Sequence, residues 1–211
     1  MSVPANKNFI AFLNDLFNTN TDFAKAHDES YFDSFRDVQT PKVTVLKCSD
    51  SRVQMKSFAT TPQNAVFAVR NIGNQLKNNE GSVDFGIRVL KTPFLLIIGH
   101  SGCGAIDAKL SGKTTNIDSI DHELANLQLQ ETNIKNAIIE NVNNQVALAM
   151  QKYQDLIVRH ELIVMGAVYD FKNDFGFGKG RLVLVNINNE TNHEKATKNI
   201  ASKVKNLQFL S

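Results

Sequence analysis

Five short apolar runs, separated by segments with helical periodicity, constrain the fold of this chain more than any other feature. The runs are VTVL (43–46), AVFAV (65–69), FLLII (94–98), ELIVMGAV (161–168) and RLVLVNI (181–187). The first four are nearly continuous rather than alternating, which is typical of strands buried on both faces. Strands that alternate with helices predict an α/β fold, with a mostly parallel central β-sheet flanked by helices. The segment NDFGFGKG (173–180) predicts a hairpin turn into the last strand.

Helices between these strands are predicted from apolar residues at steps of three, four or seven. Such steps run through GSVDFGIRVL (81–90) and through residues 120–156. In the second segment they predict one long helix, or two helices joined by a kink in the asparagine-rich middle. The same spacing in residues 191–210 predicts a helix that closes the chain.

The first 40 residues carry phenylalanines at helical spacing, among them Phe9, Phe12 and Phe17. They predict an N-terminal helical arm (residues 1–40) that packs either on the chain's own core or on a partner subunit. The sequence contains no internal repeat, low-complexity tract or interdomain linker, so residues 1–211 are interpreted as a single domain.

Composition and charge exclude several classes of function. The net charge of +2 comes from scattered basic residues that do not interleave with aromatics, so nucleic acid is not an expected partner. The longest apolar runs have about five residues, far fewer than the ~20 that span a membrane. No basic region followed by an apolar segment begins the chain, and we expect a cytoplasmic protein. In a reducing compartment its two cysteines are expected to be free or metal-bound rather than paired.

Both cysteines follow predicted strands, at the edge of a parallel sheet where ligands usually bind. Cys48 follows VTVLK, while His100 and Cys103 follow FLLIIG in a single turn. The spacing His-x-x-Cys lets both side chains of that turn hold the same ion, and Cys48 can approach it from a neighbouring strand. Zinc takes thiolate and imidazole ligands tetrahedrally, and a catalytic zinc site keeps one of four positions open. The three residues therefore predict a catalytic zinc site.

These three residues have three other interpretations. The cysteines could be buried structural residues beside a core histidine, or they could form a disulfide. Either cysteine could also be the nucleophile of a hydrolase with His100 as its base. The disulfide leaves His100 and the following Asp-Ser-Arg unexplained, and the hydrolase does not need a second cysteine.

Asp50 and Arg52 follow the first cysteine within the stretch KCSDSR. An aspartate two residues after a metal-binding cysteine can reach the metal itself and block its open position. An arginine two residues later can take that carboxylate in a bidentate pair, which leaves the open position to water. Asp50 would then accept a hydrogen bond from the zinc-bound water; the alternative is an ordinary salt bridge that closes the loop.

The pair of motifs CSDSR and HSGCG, the second beginning 48 residues after the first ends, resembles the β-class carbonic anhydrases. Supporting segments are QTPKVTVLKCSDSRV, VFAVRNIGN, GSVDFGIRVL and IIGHSGCGAI. The resemblance implies an α/β sheet, one zinc ion per subunit held by Cys48, His100 and Cys103, and a catalytic dyad of Asp50 and Arg52. It also implies reversible hydration of carbon dioxide to bicarbonate and a proton by zinc-bound hydroxide. Hydrolases of carbon disulfide and carbonyl sulfide use the same scaffold and are the alternative.

The resemblance also predicts a substrate pocket of the plant-type subclass, in a homodimer or a dimer of dimers. Gln39, nine residues before Cys48, matches a glutamine that binds substrate, and Phe67 matches an aromatic that the partner subunit contributes. Phe85 stands where plant-type members usually carry tyrosine, and Gly104 belongs to the turn around Cys103. Arg70 and Tyr169 match members of a regulatory bicarbonate site in another subclass. Because Val45 replaces that site's tryptophan, we expect no such site here.

Overall fold

The computed structural model describes residues 6–210, and the chain forms two compact units, Met1–Thr40 and Pro41–Ser211. The first unit contains helices α1 (Lys7–Lys25) and α2 (Glu29–Asp33). Their first turns are capped by the side chains of Asn6 and Asp28, which accept hydrogen bonds from the backbone N–H groups of Asn8 and Tyr31. The predicted helical arm is therefore present, although its residues 1–5 lie outside the described part. What the arm packs on stays a prediction.

The second unit is built around a five-stranded sheet with the order β2-β1-β3-β4-β5. Its strands are β1 (Val43–Cys48), β2 (Val66–Asn71), β3 (Phe94–His100), β4 (Ile163–Asp170) and β5 (Arg181–Ile187). All neighbouring strands are parallel except β4 and β5, which form an antiparallel pair. The predicted α/β fold with a mostly parallel sheet is confirmed.

Helices lie between and after these strands, and α6 packs against β3, β4 and β5. They are α3 (Glu80–Asp84), α4 (Gly104–Leu110), α5 (Asp118–Ala125), α6 (Ile134–Lys152), α7 (Gln154–Val158) and α8 (His193–Thr197). Two 3₁₀ turns (Met55–Ser57 and Lys77–Asn79) and a π-helical turn (Phe85–Val89), which continues α3, complete the set. Among the described residues, no helix is both long and apolar enough to cross a membrane.

Two helix predictions are wrong. Residues 120–156 form parts of three helices, and the main break lies at residues 126–133, before the asparagine-rich stretch. Asn133 caps α6 by accepting from the N–H groups of Lys135 and Asn136, so the helix begins there. Residues 191–210 contain only the short α8, after which the chain turns back and buries Phe209 beside Leu184 of β5. Burial of that aromatic ring outweighs the helical spacing.

The long helix α6 lies unusually close to the sheet because two glycines face it. A Cβ atom on Gly99 of β3 would lie 2.7 Å from Cγ2 of Val142, and one on Gly166 of β4 would lie 2.7 Å from its Cγ1. Val142 is fully buried between them. This contact fixes α6 next to the end of β3, where the predicted metal ligand His100 follows Gly99.

Residues 173–180 form the predicted hairpin turn between β4 and β5. The buried Asp170 at the end of β4 organises the turn, since its carboxylate accepts from the N–H groups of Asp174 and Phe175 at 3.0 and 2.9 Å. The segment that follows β4 is thereby held at the carboxyl edge of the parallel strands.

Candidate metal centre

Cys48, His100 and Cys103 meet at the carboxyl edge of the sheet. Cys48 is the last residue of β1 and His100 the last residue of the adjacent parallel strand β3, while Cys103 caps α4. All three are buried, and one ligand atom from each lies within 4.8 Å of the others. The side chains predicted as metal ligands are therefore brought together by ordinary parallel-sheet geometry.

The imidazole of His100 offers a bare nitrogen to this cluster. Its Nδ1 lies 3.1 Å from the carbonyl oxygen of Ser101, which can only accept, so Nδ1 carries the proton. The other nitrogen, Nε2, is buried and has no hydrogen-bond partner. A metal-binding histidine is usually fixed in this way, by a hydrogen bond from the nitrogen that does not bind the metal.

Both cysteines are free thiols, and the pair favours one thiolate over two. A hydrogen bond from Cys103 is the largest cause that lowers the pKa of the Cys48 thiol, and the backbone N–H group of Asp50 adds to it, while burial opposes both. The pKa of Cys103 is raised by that same hydrogen bond and by burial. A second thiolate in this space needs a cation beside it. Two sulfurs and one nitrogen form a donor set that suits zinc and leaves a fourth position.

Asp50 and Arg52 form a bidentate pair beside the cluster. Arg52 donates from Nε to Oδ1 of Asp50 at 2.9 Å and from Nη2 to Oδ2 at 2.6 Å. These bonds hold the pKa of Asp50 well below its usual range. Oδ2 of Asp50 also lies 3.8 Å from Nε2 of His100. The ionised carboxylate thus faces the same point as the three ligand atoms while its oxygens are occupied by arginine.

Two basic residues hold the loop that carries this pair, and neither role was predicted from the sequence. Arg70 of β2 donates from Nη2 to the carbonyl oxygens of Ser49 and Asp50, both at 3.0 Å. Lys47 is buried, and its ammonium group donates to the carbonyl oxygen of Val53 at 2.6 Å. Burial lowers the pKa of Lys47 to about 8.

The segment after β4 forms a further wall of the metal centre, which was not predicted from the sequence. The ring of Phe171 stacks on His100, with 6.0 Å between ring centroids and 25° between planes. The guanidinium of Arg52 lies over the same ring, with its Cζ 4.7 Å from the Phe171 centroid. The buried Ser101 fixes this segment because its Oγ accepts from the N–H of Phe171 at 3.1 Å. No motif surrounds Phe171, so only the fold reveals its position.

The four residues predicted for the substrate pocket have different positions. Gly104 is exposed and begins α4 directly after Cys103. Phe67 and Phe85 stack on each other at 5.9 Å, but Phe67 lies four residues along β2 from Asn71, the register partner of Cys48. That separation is about 13 Å, so the chain does not bring these rings to its own metal centre. Gln39 is an exposed residue of the first unit.

Comparisons with known proteins agree on one family. Residues 43–176 match the family described as carbonic anhydrase. A carbonic anhydrase of Mycolicibacterium smegmatis is 35% identical over 79 residues, which cover 37% of this chain and 38% of that protein. One of Candida albicans is 36% identical over 109 residues, covering 48% and 38%, and β carbonic anhydrase 3 of Arabidopsis thaliana is 28% identical over 168 residues, covering 66% and 65%. The matches thus span between 38% and 65% of these relatives' lengths.

Solved structures share the fold. A tetrameric β-carbonic anhydrase of Sordaria macrospora superimposes with a TM-score of 0.71 at 20% identity, covering 85% of this chain and 98% of that one. A Coccomyxa β-carbonic anhydrase in complex with acetazolamide gives a TM-score of 0.65 at 24% identity and covers 92% of each chain. At this level of identity the likeness describes the architecture alone.

Proposed function

Because the chain belongs to the carbonic anhydrase family, in its β class, we propose that it catalyses the reversible hydration of carbon dioxide to bicarbonate and a proton. The observation that carries this proposal is the convergence of Cys48, His100 and Cys103 beside an ionised carboxylate that arginine holds in place. All the relatives described above are carbonic anhydrases, which favours carbon dioxide over carbon disulfide or carbonyl sulfide as the substrate.

Zinc is the cofactor that this donor set fits, and Cys48 Sγ, His100 Nε2 and Cys103 Sγ would hold it. When bound, zinc supplies the Lewis acidity that activates water at neutral pH. His100 Nδ1 keeps its proton and donates a hydrogen bond to the Ser101 carbonyl oxygen, which leaves Nε2 free for the ligand role.

Asp50 orients the reacting water. An ionised carboxylate can only accept hydrogen bonds, so Asp50 Oδ2 takes a hydrogen of the water and turns the oxygen lone pair toward carbon dioxide. Arg52 keeps Asp50 ionised and holds both of its oxygens, which prevents the carboxylate from becoming a fourth ligand. The proposed open, plant-type arrangement depends on this pair.

A homodimer or a dimer of dimers completes the proposed pocket, and Gln39, Phe67, Phe85 and Gly104 are its proposed lining. Two observations support an assembly: the similar Sordaria macrospora protein is tetrameric, and the stacked Phe67 and Phe85 lie far from their own chain's metal centre. Sedimentation of the purified protein measures the state directly, and a monomer would contradict it. The cytoplasmic location expected from the sequence stays a prediction.

Zinc content and carbon dioxide hydration, measured on the same samples, test the function. We expect about one zinc per chain, and loss of both zinc and hydration in Cys48→Ala with an unchanged circular dichroism spectrum. Since Cys48 and Cys103 are the chain's two cysteines, thiol titration reports the site alone. Folded protein that contains no zinc and whose thiols react equally fast with and without added zinc would contradict the proposal. Faster turnover of carbonyl sulfide than of carbon dioxide would replace the substrate.

A further inference from the structure

Helix α6 turns two amide side chains toward the protein interior, one helical turn apart. Asn141 is 2% exposed and Gln145 is 4% exposed. Burying an amide is costly unless all of its polar atoms find partners. Such residues in an otherwise apolar helix face therefore point to a specific partner.

The partner is the backbone of the turn that follows β2. Asn141 Nδ2 donates to the carbonyl oxygen of Gly73 at 2.9 Å, and the N–H of Leu76 donates to Gln145 Oε1 at 2.8 Å. Gln145 Nε2 donates to Asn141 Oδ1 at 3.2 Å and joins the two bonds. The amides thus form one continuous chain that spans the turn.

Asn71 closes the same turn from its other side. Its Oδ1 accepts from the N–H of Gln75 at 2.7 Å, and its Nδ2 donates to the carbonyl oxygen of Gln75 at 2.6 Å. The turn between Asn71 and Leu76 therefore has side-chain amides bonded to its backbone at both ends. It has little freedom to move independently of α6.

This turn contacts both segments that supply the sulfur ligands. Asn71 is the register partner of Cys48, and its carbonyl oxygen accepts from the N–H of Ser49 at 2.9 Å. A Cβ atom on Gly73, which has a φ of +76°, would lie 3.5 Å from the Cβ of Ala105, two residues beyond Cys103. The turn therefore packs on residues next to both sulfur ligands.

We infer that Asn141 and Gln145 are positioning residues for the metal centre, which hold the turn between Asn71 and Leu76 against the segments that carry Cys48 and Cys103. This inference rests on the proposed function, in which Cys48 is a metal ligand. Because this turn supports the backbone beside both cysteines, its position helps to set how the two sulfurs meet at the metal. Supporting contacts of this kind are normally needed for full metal affinity.

Cobalt-substituted protein tests the inference, because the sulfur-to-cobalt charge-transfer band reports how the two sulfurs bind the metal. In Asn141→Leu the turn loses its tether, and we expect the band to shift from its unsubstituted position and cobalt affinity to fall about tenfold. The matched control is Asn186→Leu. Asn186 of β5 is also buried, and its Nδ2 donates a hydrogen bond of 2.9 Å to Oδ1 of Asn143 in α6. This bond joins α6 to β5 and not to the turn after β2. We expect its band to stay at the unsubstituted position.

A band at the same wavelength in Asn141→Leu and Asn186→Leu would overturn the inference. Absence of the band from the unsubstituted protein would instead refute the proposed metal centre, so the two failures are distinguishable. If Asn141→Leu does not fold, Gln145→Met decides by the same readout, since it removes the bond from Leu76.

Discussion

The guanidinium of Arg52 lies over the ring of Phe171, with its Cζ 4.7 Å from the ring centroid. The same ring stacks on His100, so one aromatic side chain contacts both a proposed metal ligand and the arginine of the proposed dyad. This contact restricts the guanidinium from one side while Asp50 binds it from another. The fold thus gives Phe171 a role in orienting the dyad.

Replacing the ring tests that role. Because about half of the Arg52 side chain is exposed, its cation–π contact contributes about 0.5–1 kcal/mol. We expect Phe171→Leu to lower kcat/KM for carbon dioxide about two- to fivefold at unchanged zinc content, and Phe171→Tyr to retain activity. Phe175→Leu is the matched control, since the ring of Phe175 has Lys135 as its cation–π partner, with Nζ 4.9 Å from the ring centroid, whereas Arg52 lies over Phe171. Equal losses in Phe171→Leu and Phe175→Leu would show that the contact has no specific effect.

Arg52→Lys tests the need for a bidentate pair. Lysine keeps the charge but cannot reproduce the two parallel bonds to Asp50, so one charge-assisted bond is lost. We expect hydration to fall about tenfold, with little change in the free energy of unfolding. Arg159→Lys provides the control, because Arg159 binds Glu161 in the same bidentate manner, at 3.1 and 3.2 Å, far from the cysteines in sequence. Full activity in Arg52→Lys would contradict a role for the geometry.

The fold and the ligand cluster could be predicted from the sequence because they depend on local patterns. Continuous apolar runs gave the parallel strands, and the carboxyl ends of adjacent parallel strands necessarily share one edge of the sheet. Cys48 and His100 end neighbouring strands, so their meeting required no knowledge of side-chain packing.

The surroundings of the cluster could not be predicted, because they depend on contacts between distant segments. Phe171 reaches Ser101 across 70 residues of sequence, and Asn141 reaches Gly73 across 68. The same limit explains the misplaced helix break. The carboxylate of Glu140 accepts from the backbone N–H groups of Gln130 and Glu131 and so holds the chain in a non-helical path, although the apolar spacing continues.

Gly99→Ala tests the close approach of α6 to the sheet. The new methyl group would lie 2.7 Å from Val142, and overpacking of this kind costs about 1–3 kcal/mol of unfolding free energy. We expect Val142→Ala to relieve much of that cost, giving a favourable coupling of about 1–2 kcal/mol in a double-mutant cycle followed by urea unfolding. Val69→Ala also removes two methyl groups, but from β2, which lies two strands away from β3 in the sheet. It should therefore combine additively with Gly99→Ala. An additive cycle with Val142→Ala would contradict the described contact.

Tyr153 makes the stability of the protein sensitive to alkaline pH. The side chain is fully buried, and its hydroxyl donates to Asp84 Oδ1 at 2.8 Å. Burial, and then the neighbouring carboxylate of Asp84, raise the pKa of Tyr153 above its usual value. A raised pKa in the folded state stabilises the protein below the unfolded pKa of about 10, and this stabilisation is lost as the pH rises above it.

Tyr153→Phe should therefore remove part of the alkaline destabilisation. Near pH 8 we expect the variant to be less stable by about 1.5 kcal/mol, because the hydrogen bond to Asp84 is lost. Between pH 8 and pH 11 the unsubstituted protein should lose about 1.4 kcal/mol more than the variant, since each pH unit above the unfolded pKa costs that amount. Urea unfolding at the two pH values measures the difference, and the other two tyrosines are common to both proteins. Parallel loss of stability in the two proteins would mean that Tyr153 ionises as readily in the folded as in the unfolded chain.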